Sequence, residues 1–196
     1  MLNKIRSKIE PLMNNLGLKL ASLGLTPNTW TVIGFFVSIL SAIVYSMHNH
    51  LELAMLYGGI VLLVSGFVDM IDGSVARVTK RVSKKGAFLD STLDRVSEVA
   101  IYAGILYSNV ANDMLVLVAI TSSLLVSYAR ARAESLGIEL KGIGIGERAE
   151  RLLILSIASI LSIIKIEMLN YGIALICIIA IITFIQRIIA TLNRLS

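Results

Sequence analysis

Charge is what this sequence has least of. Charged residues occupy 16% of the 196 positions, where a soluble domain carries about 25%. Hydrophobic residues fill 56%, and the mean hydropathy of +0.83 excludes an ordinary soluble fold. The single cysteine, Cys177, lies inside an apolar run, which rules out a disulfide framework and a cysteine metal site. Met1 to Asn15 has no apolar run followed by a cleavage site, so it does not read as a signal peptide. No stretch is rich in proline, serine or charge, and no repeat is visible, so residues 1–196 read as one domain. The 18 basic residues exceed the 13 acidic ones, a bias often linked to nucleic acid. Their placement points instead to a membrane.

The apolar runs predict an all-α membrane protein with six spans, at about 30–47, 53–75, 88–108, 114–133, 149–166 and 169–191. Basic residues gather on one side of that topology. Lys4, Arg6, Lys8 and Lys19 precede the first span; Arg77, Lys80, Arg81, Lys84 and Lys85 join the second to the third. Arg130, Arg132, Lys141, Arg148 and Arg151 join the fourth to the fifth, and Arg187 and Arg194 lie near the C-terminus. The other side has only Lys165. The positive-inside rule therefore places both termini and the basic loops in the cytoplasm. Before the first span, Ile5, Ile9, Leu12, Met13, Leu16 and Leu20 recur at helical spacing, so residues 1–23 predict an interfacial amphipathic helix. Thr26 followed by Pro27 predicts an N-cap and a first helical residue.

Four carboxylates interrupt the second and third spans. An aspartate within a membrane helix costs roughly 2.5–3.5 kcal/mol on insertion scales. Asp69 and Asp72 are three residues apart, and Asp90 and Asp94 four apart, so each pair shares a helical face. The short link between the two spans predicts antiparallel neighbours with the four carboxylates converging. Hard oxygen donors without cysteine or histidine favour two Mg²⁺ or Mn²⁺ ions over zinc, at the spacing of about 3.5–4 Å that suits phosphoryl transfer. His48 and His50 fall at the opposite membrane face. Gly73 and Ala76 share the Asp69 face and leave room for a bulky, flat group, while Arg77 is placed for a diphosphate. Gly86 permits the turn into the third span.

Read in order, the segment is Asp69, two residues, Asp72 and Gly73, two residues, Ala76 and Arg77, eight residues, Gly86, three residues, Asp90, three residues, Asp94. It resembles the signature of the CDP-alcohol phosphotransferase family at every fixed position. The resemblance implies six transmembrane helices in a homodimer and a polar cavity open to the cytoplasm. It also implies release of CMP as an alcohol attacks a CDP-linked lipid. By position, Asp69, Asp72 and Asp90 would hold the metal ions. Asp94 would act as general base and also contribute to the metal site. Gly73, Ala76 and Arg77 would line the CDP-lipid pocket with Ser83, Asn28, Thr29, Trp30 and Thr31. Asn28 departs from a position that is often acidic in the family.

The remaining arginines bear on the acceptor. Arg130, Arg132, Arg151 and Arg187 sit near ends of apolar helices, where forked guanidinium groups suit a dianionic phosphate. Arg148 reads instead as a topology anchor or surface ion-pair partner. The stretch from Tyr128 to Glu134 and the stretch from Glu147 to Leu152 resemble the branch of the family that uses inositol 1-phosphate. Arg130 stands where bacterial members carry lysine. Abundant isoleucine leans towards CDP-archaeol as donor, with CDP-diacylglycerol the alternative. Glycerol 3-phosphate is the nearer rival acceptor. A divalent-cation transporter is the rival from another class; it calls for acidic residues deep in several helices, whereas these cluster at one side of two.

Overall fold

A computed structural model describes residues 2–51, 53–140 and 142–195, with side chains from residue 11 onward. The expected apolar positions Ile5 and Ile9, and the basic side chains of Lys4, Arg6, Lys8 and Lys141, lie outside the described residues. Seven helices make up the described chain: α1 (Leu2–Ala21), α2 (Pro27–Ser46), α3 (Ala54–Val78), α4 (Lys84–Tyr107), α5 (Asp113–Ser135), α6 (Arg148–Leu161) and α7 (Glu167–Leu195).

Short polar side chains start several of them. Thr26 caps α2 by accepting from the Thr29 amide at 3.2 Å, with Pro27 at the first helical position. Ser83 caps α4 through the Gly86 amide at 3.0 Å, and Asn112 caps α5 through the Leu115 amide at 3.1 Å. Helices α2, α3, α5 and α7 are long and apolar enough to cross a membrane. Two helices differ from the expected spans. Helix α4 carries Lys84, Lys85, Asp90, Asp94, Arg95 and Glu98 within its first fifteen residues. Helix α6 ends at Leu161 after 14 residues, about 21 Å against the roughly 30 Å of a hydrocarbon core. Large apolar side chains line the outside of the apolar helices, among them Phe36, Leu40 and Ile43 on α2 and Ile178, Ile181 and Ile185 on α7. That is the surface of a multi-pass membrane protein.

Inside, α2 packs against both α3 and α4, α6 against α3 and α7, and α5 against α7. The acidic helices therefore flank α2 and leave a cleft between their linked ends, rather than meeting along their length as neighbours. Helix α1 rests on α3: Met13, Leu16, Leu20 and Ala21 pack with Ile71, Val75 and Trp30. Leu12, expected on the same apolar face, is exposed.

Close helix approach depends on small residues, as is usual in membranes. At Gly104 on α4, an added Cβ would overlap the Ala42 carbonyl of α2, which is backbone and unable to swing aside. Gly104→Ala is expected to destabilise the bundle by about 1–3 kcal/mol through overpacking, read as a lower Tm in detergent. An unchanged Tm would show that α2 and α4 do not meet this closely.

Candidate active site

The site occupies the cleft at the linked ends of α3 and α4. Asp69 and Asp72 descend from the last turns of α3, and Asp90 from the second turn of α4. Carboxylate oxygens of the three lie within 4.8 Å of one another. Asp72 is buried, and the Thr31 hydroxyl of α2 donates to its Oδ2 at 2.7 Å. This fixes one carboxylate from the helix between the two acidic ones. Three mutually close anions with no histidine or cysteine among them form an oxygen donor set suited to Mg²⁺ or Mn²⁺.

The structure keeps Asp94 out of that trio. Its carboxylate meets Arg148 Nη1 at 2.6 Å and Arg95 Nη1 at 3.2 Å. The same Arg148 nitrogen donates to Asp69 Oδ1 at 3.2 Å. Arg148, read from the sequence as an anchor or surface partner, is thus a largely buried cation at the centre of the cluster. A small polar pocket of about 10 Å³ opens beside it, lined by Thr31, Gly34, Ser38, Ser65, Asp69, Asp94, Ser97 and Arg148 among others.

Two of the four arginines expected to grip an acceptor phosphate are buried in this arrangement. Arg151 is 1% exposed; its Nε and Nη2 bind Glu98 at 2.8–3.0 Å and its Nη1 donates to the Gly146 carbonyl at 2.8 Å. Arg187, 3% exposed, donates to the carbonyls of Ile143 at 3.1 Å and Val126 at 2.8 Å. Both guanidinium groups are thus buried against protein partners. The other two remain accessible. Arg130 pairs with Glu134 one turn on at 2.8 Å, and Arg132 is exposed with only a 3.4 Å contact to Ser135.

The residues expected around a CDP group divide similarly. Arg77 lies over Gly73, is exposed and donates to Ser74 Oγ at 3.0 Å. Ala76 is half-buried on the same helix. Asn28 lies close against Gly86, bringing the start of α2 to the start of α4. Ser83 and Thr29 both take part in helix capping. Trp30 turns away to the α1 contact, so its ring serves packing there.

The family model for CDP-alcohol phosphatidyltransferase matches residues 24–191. This chain belongs to that family. It is 41% identical over its whole length to an archaetidylinositol phosphate synthase of Pyrococcus horikoshii, covering 99% of that protein. Among solved structures, it resembles the phosphatidylinositol phosphate synthase of Mycobacterium tuberculosis with CDP-DAG bound. That match has 28% identity and a TM-score of 0.78, covering 92% of this chain and 94% of the other. The same synthase in complex with manganese and citrate matches with a TM-score of 0.78 and 28% identity, covering 91% and 88%.

Proposed function

We propose that this transferase moves the phospholipid moiety of a CDP-linked lipid onto inositol 1-phosphate, releasing CMP and forming an inositol-phosphate lipid. The observation that carries the reading is the convergence of Asp69, Asp72 and Asp90, with Arg148 and Asp94 beside them, in a chain of this family. The names of the relatives support inositol phosphate as acceptor. The bound CDP-DAG of the mycobacterial structure supports the donor class, and its manganese supports a divalent ion. CDP-archaeol is the donor we favour, given the archaeal relative.

Asp69, Asp72 and Asp90 would hold two ions, Mg²⁺ or Mn²⁺, which would supply charge neutralisation for the diphosphate and the departing CMP. Asp94 accepts the proton of the attacking hydroxyl. As the acceptor oxygen bonds to the lipid-side phosphorus, the bond from that phosphorus to the oxygen of CMP breaks, and CMP leaves as an anion. Gly73, Ala76, Arg77 and Asn28 line the nucleotide side. Arg148 offers its guanidinium to the acceptor phosphate, with Arg130 and Arg132 at the approach. Arg151 and Arg187 serve from behind, by holding the loop that leads into α6.

The whole chain acts as one domain. All six helices from α2 to α7 span the membrane, α4 and α6 also presenting large apolar side chains outward, such as Val96 and Ile157, and α1 lies at the interface. The excess of lysine and arginine around the α3–α4 link places the site and both termini in the cytoplasm. The active form is a homodimer, as the family resemblance implies.

The test is CMP release by purified protein given one CDP-lipid and a panel of inositol 1-phosphate, glycerol 3-phosphate, inositol and serine. Turnover with inositol 1-phosphate well above the others is expected. Preference for glycerol 3-phosphate or an unphosphorylated alcohol would overturn the acceptor assignment.

A further inference from the structure

Glu98 has no part in the chemistry just described, yet it is fully buried and makes a three-bonded ion pair. It lies on α4 one turn beyond Asp94, and Arg151 lies on α6 one turn beyond Arg148. The two helices therefore face each other through two rungs. The outer rung joins Asp94 to Arg148, a single nitrogen bridging Asp94 and Asp69. The inner rung joins Glu98 to Arg151, with both carboxylate oxygens and two guanidinium nitrogens engaged. Arg151 Nη1 also holds the Gly146 carbonyl, and the Gly146 amide donates to Thr183 Oγ1 of α7 at 2.8 Å. Gly146 is two residues before Arg148. Its Cβ-free backbone sits tight against α7, where an added Cβ would lie 3.0 Å from the Ile179 carbonyl oxygen and 3.1 Å from Thr183 Oγ1. Helix α6 packs on α3 and α7, whereas α4 packs on α2 and α5. The side-chain rungs thus tie the helix carrying Arg148 to the helix carrying Asp90 and Asp94.

Burying a carboxylate and a guanidinium together is seldom a route to stability, since desolvation offsets much of their attraction. What such a pair does offer is fixed geometry, because a bidentate guanidinium–carboxylate contact tolerates little rotation or slippage. We propose that Glu98 and Arg151 are positioning residues: their pair sets the depth and rotation at which α6 begins, and so aims Arg148 at Asp69 and Asp94. For the acceptor half, the inference rests on the function proposed above; for the meeting of Arg148 with the carboxylates it stands alone.

The experiment uses the full chain, purified in detergent, as wild type, Glu98→Gln, Arg148→Ala and the double variant. Outer partners of this kind cost roughly 10–100-fold when removed. Glu98→Gln is therefore expected to raise the KM for inositol 1-phosphate within that range while the KM for the CDP-lipid stays unchanged. Acting through Arg148, it adds nothing in the double variant, whose KM matches that of Arg148→Ala alone. Losses that multiply, or equal rises in both KM values, would overturn the proposal and leave the pair a stabilising contact only. Mn²⁺ titration followed by electron paramagnetic resonance needs no turnover. Removing the Arg148 cation from Asp69 tightens Mn²⁺ binding; Glu98→Gln does the same, and the double variant goes no further. Wild-type Mn²⁺ affinity in Glu98→Gln, alongside tighter binding in Arg148→Ala, would overturn it. If Glu98→Gln fails to fold, Arg151→Lys keeps the charge but loses the fork, and the same readouts apply. A wild type that releases no CMP with inositol 1-phosphate defeats the proposed function, while the Mn²⁺ titration still decides the positioning role.

Discussion

Replacing Asp94 with asparagine is expected to lower CMP release by roughly 10²–10⁴-fold, the range supplied by a positioned general base, while CDP-lipid binding survives. The amide would keep the size of the side chain and one oxygen for Arg148, which meets Asp94 Oδ1 at 2.6 Å, while Arg95 would lose its acceptor, Oδ2 at 3.2 Å. It would lose the ability to take a proton. Because Asp94 stands outside the oxygen trio, Mn²⁺ affinity should remain close to that of the wild type. Near-normal turnover would remove Asp94 from the base role. Loss of Mn²⁺ binding together with activity would make it a metal ligand instead, the second role that the sequence resemblance implies.

Asp72→Asn is the counterpart, and it should fail in the opposite order. Asp72 is buried, accepts from Thr31 and has oxygens within reach of those of Asp69 and Asp90. Removing even an outer partner of a metal ligand costs roughly 10–100-fold, so removing the ligand itself should cost more. Both Mn²⁺ binding and CMP release are expected to fall to background, and exhaustive chelation of the wild type should reproduce the loss until Mg²⁺ or Mn²⁺ is restored. Full activity after chelation would defeat the metal reading of the whole cluster.

The acidic half of this site was legible because its pattern is local. Two aspartates three apart on one helix and two four apart on the next must each share a face, whatever the rest of the chain does. Thr26 before Pro27 was legible for the same reason, and the structure begins α2 there. The basic half was not. Arg148, Arg151 and Arg187 look alike in sequence, each near the end of an apolar helix. What separates them is a partner far away: Glu98 lies 53 positions from Arg151, and the Val126 carbonyl 61 from Arg187. Helical spacing did hold a clue, since Glu98 continues the face of Asp90 and Asp94 at four-residue steps. A further acid on that face, deeper in the helix, called for a buried cation. The length of α6 was hidden as well, because the apolar run continues beyond Leu161 through a turn that hydropathy alone does not register.

Helix α2 has no charged residue at all, yet it lies between the two helices that supply the anions. Its girth decides how far apart those helices stand. Thr31, Gly34 and Ser38, which line the pocket beside the carboxylates together with Phe35, are small. Bulkier side chains at Gly34 or Ser38 would spread the two acidic helices, whereas a change at Thr31 would also remove the hydroxyl that holds Asp72. The spacing of the anions is in this way set by a helix that carries no charge.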